Sequence, residues 1–555
     1  MTVSTLRVYL PNDPLLVRLL EAAHRASVSK KVILDKLGFE KTYSDLLGDI
    51  VQTRDALSLS LPPWVPSEVG PTPEKDVHVG IISQSAYEFL VAFFAVRAAG
   101  GAQGFCLKKV ITYFKRQNEQ IAAYIRKQPE SLPLRLLPIS SNARGIPSSQ
   151  LVVDNSISVN PAGPGMIMFT SGTTGRPKGV ILPRVLFSEV KGSGNDQVAL
   201  NHRPCHWIGG ARTSVDAILT GKTLVNIGEK RAESRAQAVI EVLQEYRITD
   251  AVFTPALLRW MKQIMLKGGN PTPAHIRAER GNPFRHLSSI KCAAGICEPS
   301  TISFLTSLTG LRFETIYGAT ELGGLITVGH SEVKGSIGKP LPDIDIKLSE
   351  GDRGEIRVKS ARMFIGYIGD KAATKAVFDE HGYYKTNDLA EYRNGEYIFC
   401  GRENTDFVLF RNYGFSSMLV ENSILDLDYI AEACVVAVPD HASRQLCGVV
   451  ARMTPDVVAA GRQIDLSKIR TDLSNRNVPL YMLPVVLKTL SEGEPLPRNV
   501  SAKPMKRDIL ARYFGSVGGI PPTSLPTGVE RFDLPKTGNS CIQPWDWCGM
   551  QSASV

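Results

Sequence analysis

The stretch MIMFTSGTTGRPKGV, residues 166–180, sets an apolar run against a loop of glycine and hydroxyl side chains and closes with a lysine. Met166 to Phe169 predicts a buried strand. The loop behind it can approach an anion closely, because no bulky side chain shields its N–H donors and the hydroxyls add further donors. Clusters of Gly, Ser and Thr between strands are ordinarily surface turns. Here the preceding strand and the positive charge of Arg176 and Lys178 point to phosphate instead. In the phosphate loop of kinases and GTPases the lysine follows a glycine and precedes Ser or Thr, whereas Lys178 follows Pro177 and precedes Gly179. That reading therefore loses its main support, and a nucleotide phosphate remains the expected ligand.

At 555 residues the chain is too long for one simple core and is expected to hold two or three domains. A hydrophobic content of 43% and a charged content of 21% are ordinary for a soluble globular protein. The net charge of +10 suits anionic substrates such as nucleotides or CoA, and does not by itself argue for nucleic acid. Its one local concentration, Lys108 to Lys127, lacks an aromatic RNA-binding motif and reads as a solvated helix face. Nine scattered cysteines without C-x-x-C spacing fit reduced thiols in an intracellular, cytoplasmic protein. The N-terminus has no apolar core of signal-peptide type, and no stretch is long and apolar enough to span a membrane. The last residues, SASV, are not a peroxisomal tripeptide.

Through the middle of the chain, strand and helix patterns alternate. Residues 223–227, 250–254 and 289–294 read as strands, and 231–245 and 255–266 as amphipathic helices. The expectation is an α/β fold whose large N-terminal domain, residues 1–400, has mostly parallel sheets, with ligands at the carboxyl ends of strands. From Gly401 a smaller α+β unit restarts, with strands at 431–438 and 447–453 and a helix at 466–473, giving a mobile C-terminal domain over 401–515. Residues 516–555, rich in Gly, Pro and Ser, read as a disordered tail.

Beyond the loop lie Tyr317-Gly318-Ala319-Thr320-Glu321, then Tyr384 to Leu389 with Asp388, then Gly401-Arg402, and finally Leu496 to Lys503. Each is weak alone. In this order, behind TSGTTGRPKG, they resemble the adenylate-forming superfamily of acyl-CoA synthetases, luciferases and adenylation domains over roughly residues 30–515. GRENTDFV and the following segment from Tyr413 to Glu421 look most like malonyl-CoA-synthetase-like and medium-chain members.

The resemblance implies that a carboxylic acid and ATP give acyl-AMP and pyrophosphate, after which a thiol, usually CoA, displaces AMP. It assigns Thr170, Ser171, Gly172, Thr173, Thr174, Gly175 and Lys178 to the ATP phosphates. Ala294 and Gly295, in the segment Ala293 to Cys297, would meet adenine, with Tyr317 stacked on the base and Gly318 beside it. Asp388 would accept from the ribose hydroxyls, assisted by Arg402. Thr320 would donate to the α-phosphate or substrate carboxylate, and Glu321 would place Mg²⁺. Lys503 would bring a mobile positive charge to the attacking carboxylate and the α-phosphate. His206 matches a position lining the acyl site, although a packed, half-buried histidine is an equally good reading.

The chain departs from the family pattern in several places. QGFCLKKVITYFKRQNEQ replaces a Pro-Leu strand and helix, Asn387 replaces the glycine before Asp388, and Ala502 the glycine before Lys503. Asn404 stands at the hinge, and Leu409 and Arg411-Asn412 alter the loop that lines the pantetheine tunnel. Ile316, where malonyl-activating relatives tend to carry Arg, suggests a less charged acyl group, fatty, aryl or polyketide-derived, in secondary metabolism. Two other readings stay open. One is an acyl-AMP ligase loading a carrier-protein thiol, and the other a catalytically weakened nucleotide-binding partner protein.

Overall fold

The computed structural model describes residues 7–60, 79–81, 83, 85–99, 137, 139–170, 178–189, 192, 194–228, 232–266, 271–330, 333, 335–402, 406–410, 413–498 and 503–532. The predicted alternation appears as a parallel run. Thr223–Asn226, Val198–Asn201, Asp250–Phe253, Ile290–Ala293 and Phe313–Ala319 lie side by side in that order. Helix Pro255–Leu266 starts at a proline, which is tolerated there because a first-turn N–H needs no partner within the helix. It turns Leu257, Leu258, Met261 and Met265 inward, a spacing of three and four residues that makes one apolar face.

Among the described residues these five strands belong to a 13-stranded sheet. Past Phe313–Ala319 the sheet turns antiparallel, through Gly324–His330, Ser336–Pro340, Glu396–Arg402, Tyr384–Arg393, Arg353–Lys359 and Asp345–Leu348. The parallel character foreseen for the large region thus holds for one part of the sheet, because short turns rather than crossover helices link most neighbouring later strands. Pro164–Phe169, the strand expected to carry the opening loop at a parallel strand's end, instead pairs antiparallel with Gly179–Pro183 in a separate three-stranded sheet. The strands on either side of the loop therefore form one antiparallel pair.

The last strand of the large sheet in chain order is Glu396–Arg402, and among the described residues the strands from Phe407–Phe410 onward form a six-stranded second sheet. The core of the second unit includes Val435, Val449, Val486 and Phe514, each buried and each contributing roughly 1.5–3 kcal/mol. Helix Leu466–Asn475 covers it through Leu466, Ile469 and Leu473, and Asp465 caps its start by accepting from the Lys468 N–H. Val529–Arg531 pairs antiparallel with Val486–Thr489. Residues 516–532, placed in a disordered tail on composition, thus in part extend this sheet, since an open strand edge needs only backbone partners. Residues 533–555 and the basic stretch 108–127 lie outside the described residues.

The two units touch. The Asp426 carboxylate of the second unit accepts from the Ser300 N–H at 2.8 Å, capping helix Pro299–Thr309 from outside, and Gln263 Nε2 donates to the Ala431 carbonyl at 3.2 Å. No helix of the described residues is long and apolar enough to cross a membrane. The described cysteines are all unbridged, five of them buried.

Candidate active site

The hairpin tip brings Thr170 and Lys178 together, with the Thr170 N–H donating to the Lys178 carbonyl at 3.0 Å. Ser171, Gly172, Thr173, Thr174 and Gly175 lie outside the described residues. Lys178 leaves the hairpin with its Nζ 4.7 Å above the ring of Tyr367, a cation–π contact. The Tyr367 hydroxyl in turn donates to Glu321 Oε1 at 3.2 Å. Tyr367 thus ties the hairpin that carries Lys178 to Glu321, and no motif in the sequence pointed to it.

Thr320 and Glu321 sit in the turn that joins strand Phe313–Ala319 to Gly324–His330. That turn depends on Gly318, where a Cβ would stand 1.9 Å from the Gly324 carbonyl oxygen. Burial raises the Glu321 pKa, while its own backbone N–H, the Tyr367 hydroxyl, Arg402 and Lys178 pull the other way. Among the described residues no group of three or more His, Cys, Asp and Glu side chains is placed to hold a metal. The lone carboxylate of Glu321 fits the way Mg²⁺ is usually held, by one or two carboxylates together with the phosphates of its nucleotide.

Asp388 is 5% exposed and lies opposite Arg402 in the strand pairing. Its Oδ1 accepts from Arg402 Nε at 2.8 Å, and its Oδ2 from Arg402 Nη2 at 3.3 Å and from the Tyr317 hydroxyl at 2.7 Å. Carboxylate oxygens have about four acceptor sites between them, so Asp388 can still take ribose hydroxyls. Burial opposes the Arg402 charge, but hydrogen bonding and the charge of Asp388 raise its pKa overall. The Tyr317 ring packs 6.0 Å from that of Phe399, its hydroxyl anchored on Asp388. Ala294 and Gly295 present exposed backbone, and Ala294 holds φ +70°, an uncommon conformation for a residue with a Cβ.

Lys503, from the second unit, arrives in the same neighbourhood. Burial first and the Arg402 cation second lower its pKa from the ordinary lysine value, while Asp388, Asp406 and Glu321 act against them. Asp406 accepts from the Arg402 N–H at 3.3 Å and from Lys506 Nζ at 2.7 Å, so it braces the junction between the units. Its position four residues after Arg402 was not singled out in the sequence. His206 is half-buried, edge-on to Trp207 at 5.8 Å, and burial pushes its pKa down to about 4. Of the described residues singled out in the sequence, Tyr317, Lys178 and Lys503 are thus gathered around Asp388, Arg402 and Glu321, with His206 at the start of helix Ile208–Thr220.

Comparison with known proteins agrees with this geometry. The family model described as AMP-binding enzyme matches residues 109–368. The chain is 30% identical to the acyl-CoA ligase oryP of Aspergillus oryzae, over 91% of this chain and 93% of that protein. It is 26% identical to a malonate–CoA ligase of Arabidopsis thaliana, over 62% of this chain and 60% of that protein. The fold is similar to that of ATP-bound MatB from Rhodopseudomonas palustris, with a TM-score of 0.68 at 17% identity over 90% of this chain and 99% of that one. The chain belongs to the AMP-binding enzyme family.

Proposed function

We propose that the chain is an AMP-forming acyl-CoA synthetase, an acid–thiol ligase of secondary-metabolite biosynthesis that uses ATP and CoA. The observation that carries this reading is the meeting of Lys503, from one unit, with Asp388, Arg402 and Glu321 of the other. In the first half-reaction a carboxylate oxygen attacks the α-phosphorus, the bond from that phosphorus to the bridging oxygen breaks, and pyrophosphate leaves. Attack of an anion on an anion is slow without neutralisation, so catalysis comes from positioning and fixed positive charge. Asp388 accepts from the ribose hydroxyls, its geometry fixed by Arg402 and Tyr317. The loop from Thr170 to Lys178 holds the outer phosphates, and Ala294 and Gly295 offer backbone to the adenine. Thr320 donates to the reacting carboxylate or α-phosphate, and Lys503 stabilises the charge that passes between them.

Mg²⁺ accompanies the nucleotide as a counter-charge on its phosphates, and Glu321 would hold it. In the second half-reaction the CoA sulfur attacks the acyl carbon and AMP leaves with the electron pair of the broken bond. The large unit and the second unit act as a platform and a lid, the lid rotating between the two steps. The test is pyrophosphate release from ATP and Mg²⁺ by purified protein over short, medium, long-chain, aryl and dicarboxylic acids, with and without CoA. Release that requires one acid class and consumes CoA is expected. No release with any acid would overturn the reading, and release indifferent to CoA would overturn its second half.

A further inference from the structure

The segment from Phe364 to Ile368 is bonded through its backbone to both sides of the site. On one side the Phe364 N–H donates to the Glu321 carbonyl at 2.7 Å. On the other, Gly366 and Tyr367 pair antiparallel with Ile181 and Val180, and the Ile368 N–H donates to the Gly179 carbonyl at 2.8 Å. Gly179 permits that approach, since a Cβ there would stand 2.5 Å from Ile368 Cγ2. Thr374 Oγ1 accepts from the Tyr367 N–H at 2.9 Å, and the Tyr367 ring packs 5.0 Å from that of Phe364. These contacts use main chain and ring, so the segment keeps its place without the Tyr367 hydroxyl.

Tyr367 is buried, and burial first, then the Glu321 charge, raises its pKa. The hydroxyl therefore keeps its proton and donates it to Glu321 Oε1 at 3.2 Å. A carboxylate has about four acceptor sites; this bond takes one and fixes the direction of the others. Lys178 is exposed, and among the described residues its Nζ enters no ion pair or hydrogen bond. What the ammonium meets is the face of the Tyr367 ring, at 4.7 Å. A ring face attracts an ammonium without taking up its three donors in bonds to oxygen. The Lys178 cation already acts on Glu321 across this ring. Without the ring between them the two opposite charges would close into a pair, because their attraction grows as distance and shielding by water fall.

We propose that Tyr367 is a positioning residue for adenylation with two separate jobs: its hydroxyl aims the Glu321 carboxylate, and its ring keeps the Lys178 ammonium apart from that carboxylate and open to the triphosphate. This inference rests on the acid-activating reading above, and it adds to that reading a residue that acts through two others.

The test compares Tyr367→Phe, which loses the hydroxyl alone, with Tyr367→Leu, which loses the ring as well. In ATP–pyrophosphate exchange with an acid that the parent accepts, Tyr367→Phe should lower kcat about 10–100-fold, the range for a lost hydrogen bond to a charged group. Its KM for ATP should stay within about 3-fold of the parent, since the ring still holds Lys178. Calorimetric titration with magnesium-free ATP reads the second job without turnover. There the Kd should stay within about 2-fold for Tyr367→Phe and rise about 3–30-fold for Tyr367→Leu. Adding Glu321→Gln should tighten ATP about 3-fold more in the Tyr367→Leu background than in the parent, because no carboxylate is left to capture the ammonium. Tyr367→Phe keeps the packed ring and so folds, and its kcat and Kd decide the matter alone if the leucine variant does not. A kcat for Tyr367→Phe within about 3-fold of the parent, a Kd that rises alike in both variants, or an equal gain from Glu321→Gln in both backgrounds overturns this inference and leaves the reaction assignment standing. Exchange by the parent with no acid removes both.

Discussion

Replacing Lys503 by alanine should separate the two half-reactions. Lys503 keeps residual solvent exposure at the junction of the units and belongs to neither hydrophobic core, and a substitution outside the core changes stability by about 0.5 kcal/mol or less. The variant should therefore fold, with a Tm within about 2 °C of the parent. The loss lies in charge. The lysine stands in the field of Arg402, which disfavours its cation, and of Asp388, Asp406 and Glu321, which favour it. With the lysine gone, the charge that develops between carboxylate and α-phosphate loses its mobile counterpart. Removing one positioned donor from a developing anion costs about 10²–10³ in rate, or roughly 3–4 kcal/mol. Pyrophosphate exchange should fall by that factor, whereas conversion of supplied acyl-AMP and CoA to acyl-CoA should stay within about 3-fold, because no bond to phosphorus forms in that step. Lys503→Arg should recover only part of the loss, since a planar fork does not replace a point charge on a flexible stem. Equal loss in both half-reactions, or exchange near the parent rate, would refute the assignment.

Asp388→Asn keeps the shape but sets an amide NH₂ against donors from Arg402 and Tyr317. ATP affinity should weaken about 10–100-fold at roughly 1.5–3 kcal/mol for hydrogen bonds to a charged group, measured by calorimetric titration, and an unchanged Kd would remove Asp388 from the ribose site. Because burial raises the Glu321 pKa, its carboxylate protonates at higher pH than an ordinary glutamate. The acid limb of kcat/KM should therefore lie above the usual carboxylate range, with activity falling as pH drops through it. Glu321→Gln should abolish that limb along with most of the activity, and a parent profile flat down to pH ~4 would contradict the role. Asp13 is buried, caps helix Pro14–Arg25 through the Leu15 N–H, and pairs with Arg97 at 3.0 Å and Arg184 at 2.8 Å. Asp13→Ala leaves two buried cations uncompensated and should cost about 3–5 kcal/mol in denaturant titration; a loss under about 1 kcal/mol would show that the arginines find other partners.

What was legible in the sequence is what is local. Helix Pro255–Leu266 follows its sequence reading to the residue because a proline starts it and its apolar spacing continues to the end. The strands at 223–226, 250–253 and 290–293 fall within a residue of their expected limits. The motif residues could be ordered along the chain, but their partners could not. Tyr367 lies 46 residues from Glu321, and Tyr317 lies 71 from Asp388. Arg212, Glu189 and Arg362 lie far apart along the chain, and only the fold shows that both guanidinium groups meet the Glu189 carboxylate. The strand Val529–Arg531 escaped for a related reason: its stability comes from backbone pairing at an open edge, which leaves no apolar period to read.

The departures from the family pattern take on physical meaning in the backbone. Asn387 stands where the family has glycine, and its φ is +57°. Of the residues with a Cβ, asparagine enters that left-handed region most readily, because its short polar side chain can bond locally. The substitution therefore keeps the turn that aims Asp388, with the Asn387 N–H bonded to Glu355 Oε1 at 2.9 Å and the Asp388 N–H to Thr386 Oγ1 at 3.1 Å. Ala294 is in the same region without that help, at a cost of about 1–2 kcal/mol, so the segment proposed to meet adenine keeps a demanding conformation that drift would relax. A protein that had given up catalysis would have no reason to hold this strain, nor to keep Arg402, Tyr317 and Asp388 in one bonded set. The reading as a weakened nucleotide-binding partner drew on Asn387, and the backbone at that residue points the other way, toward an enzyme that still adenylates its acid.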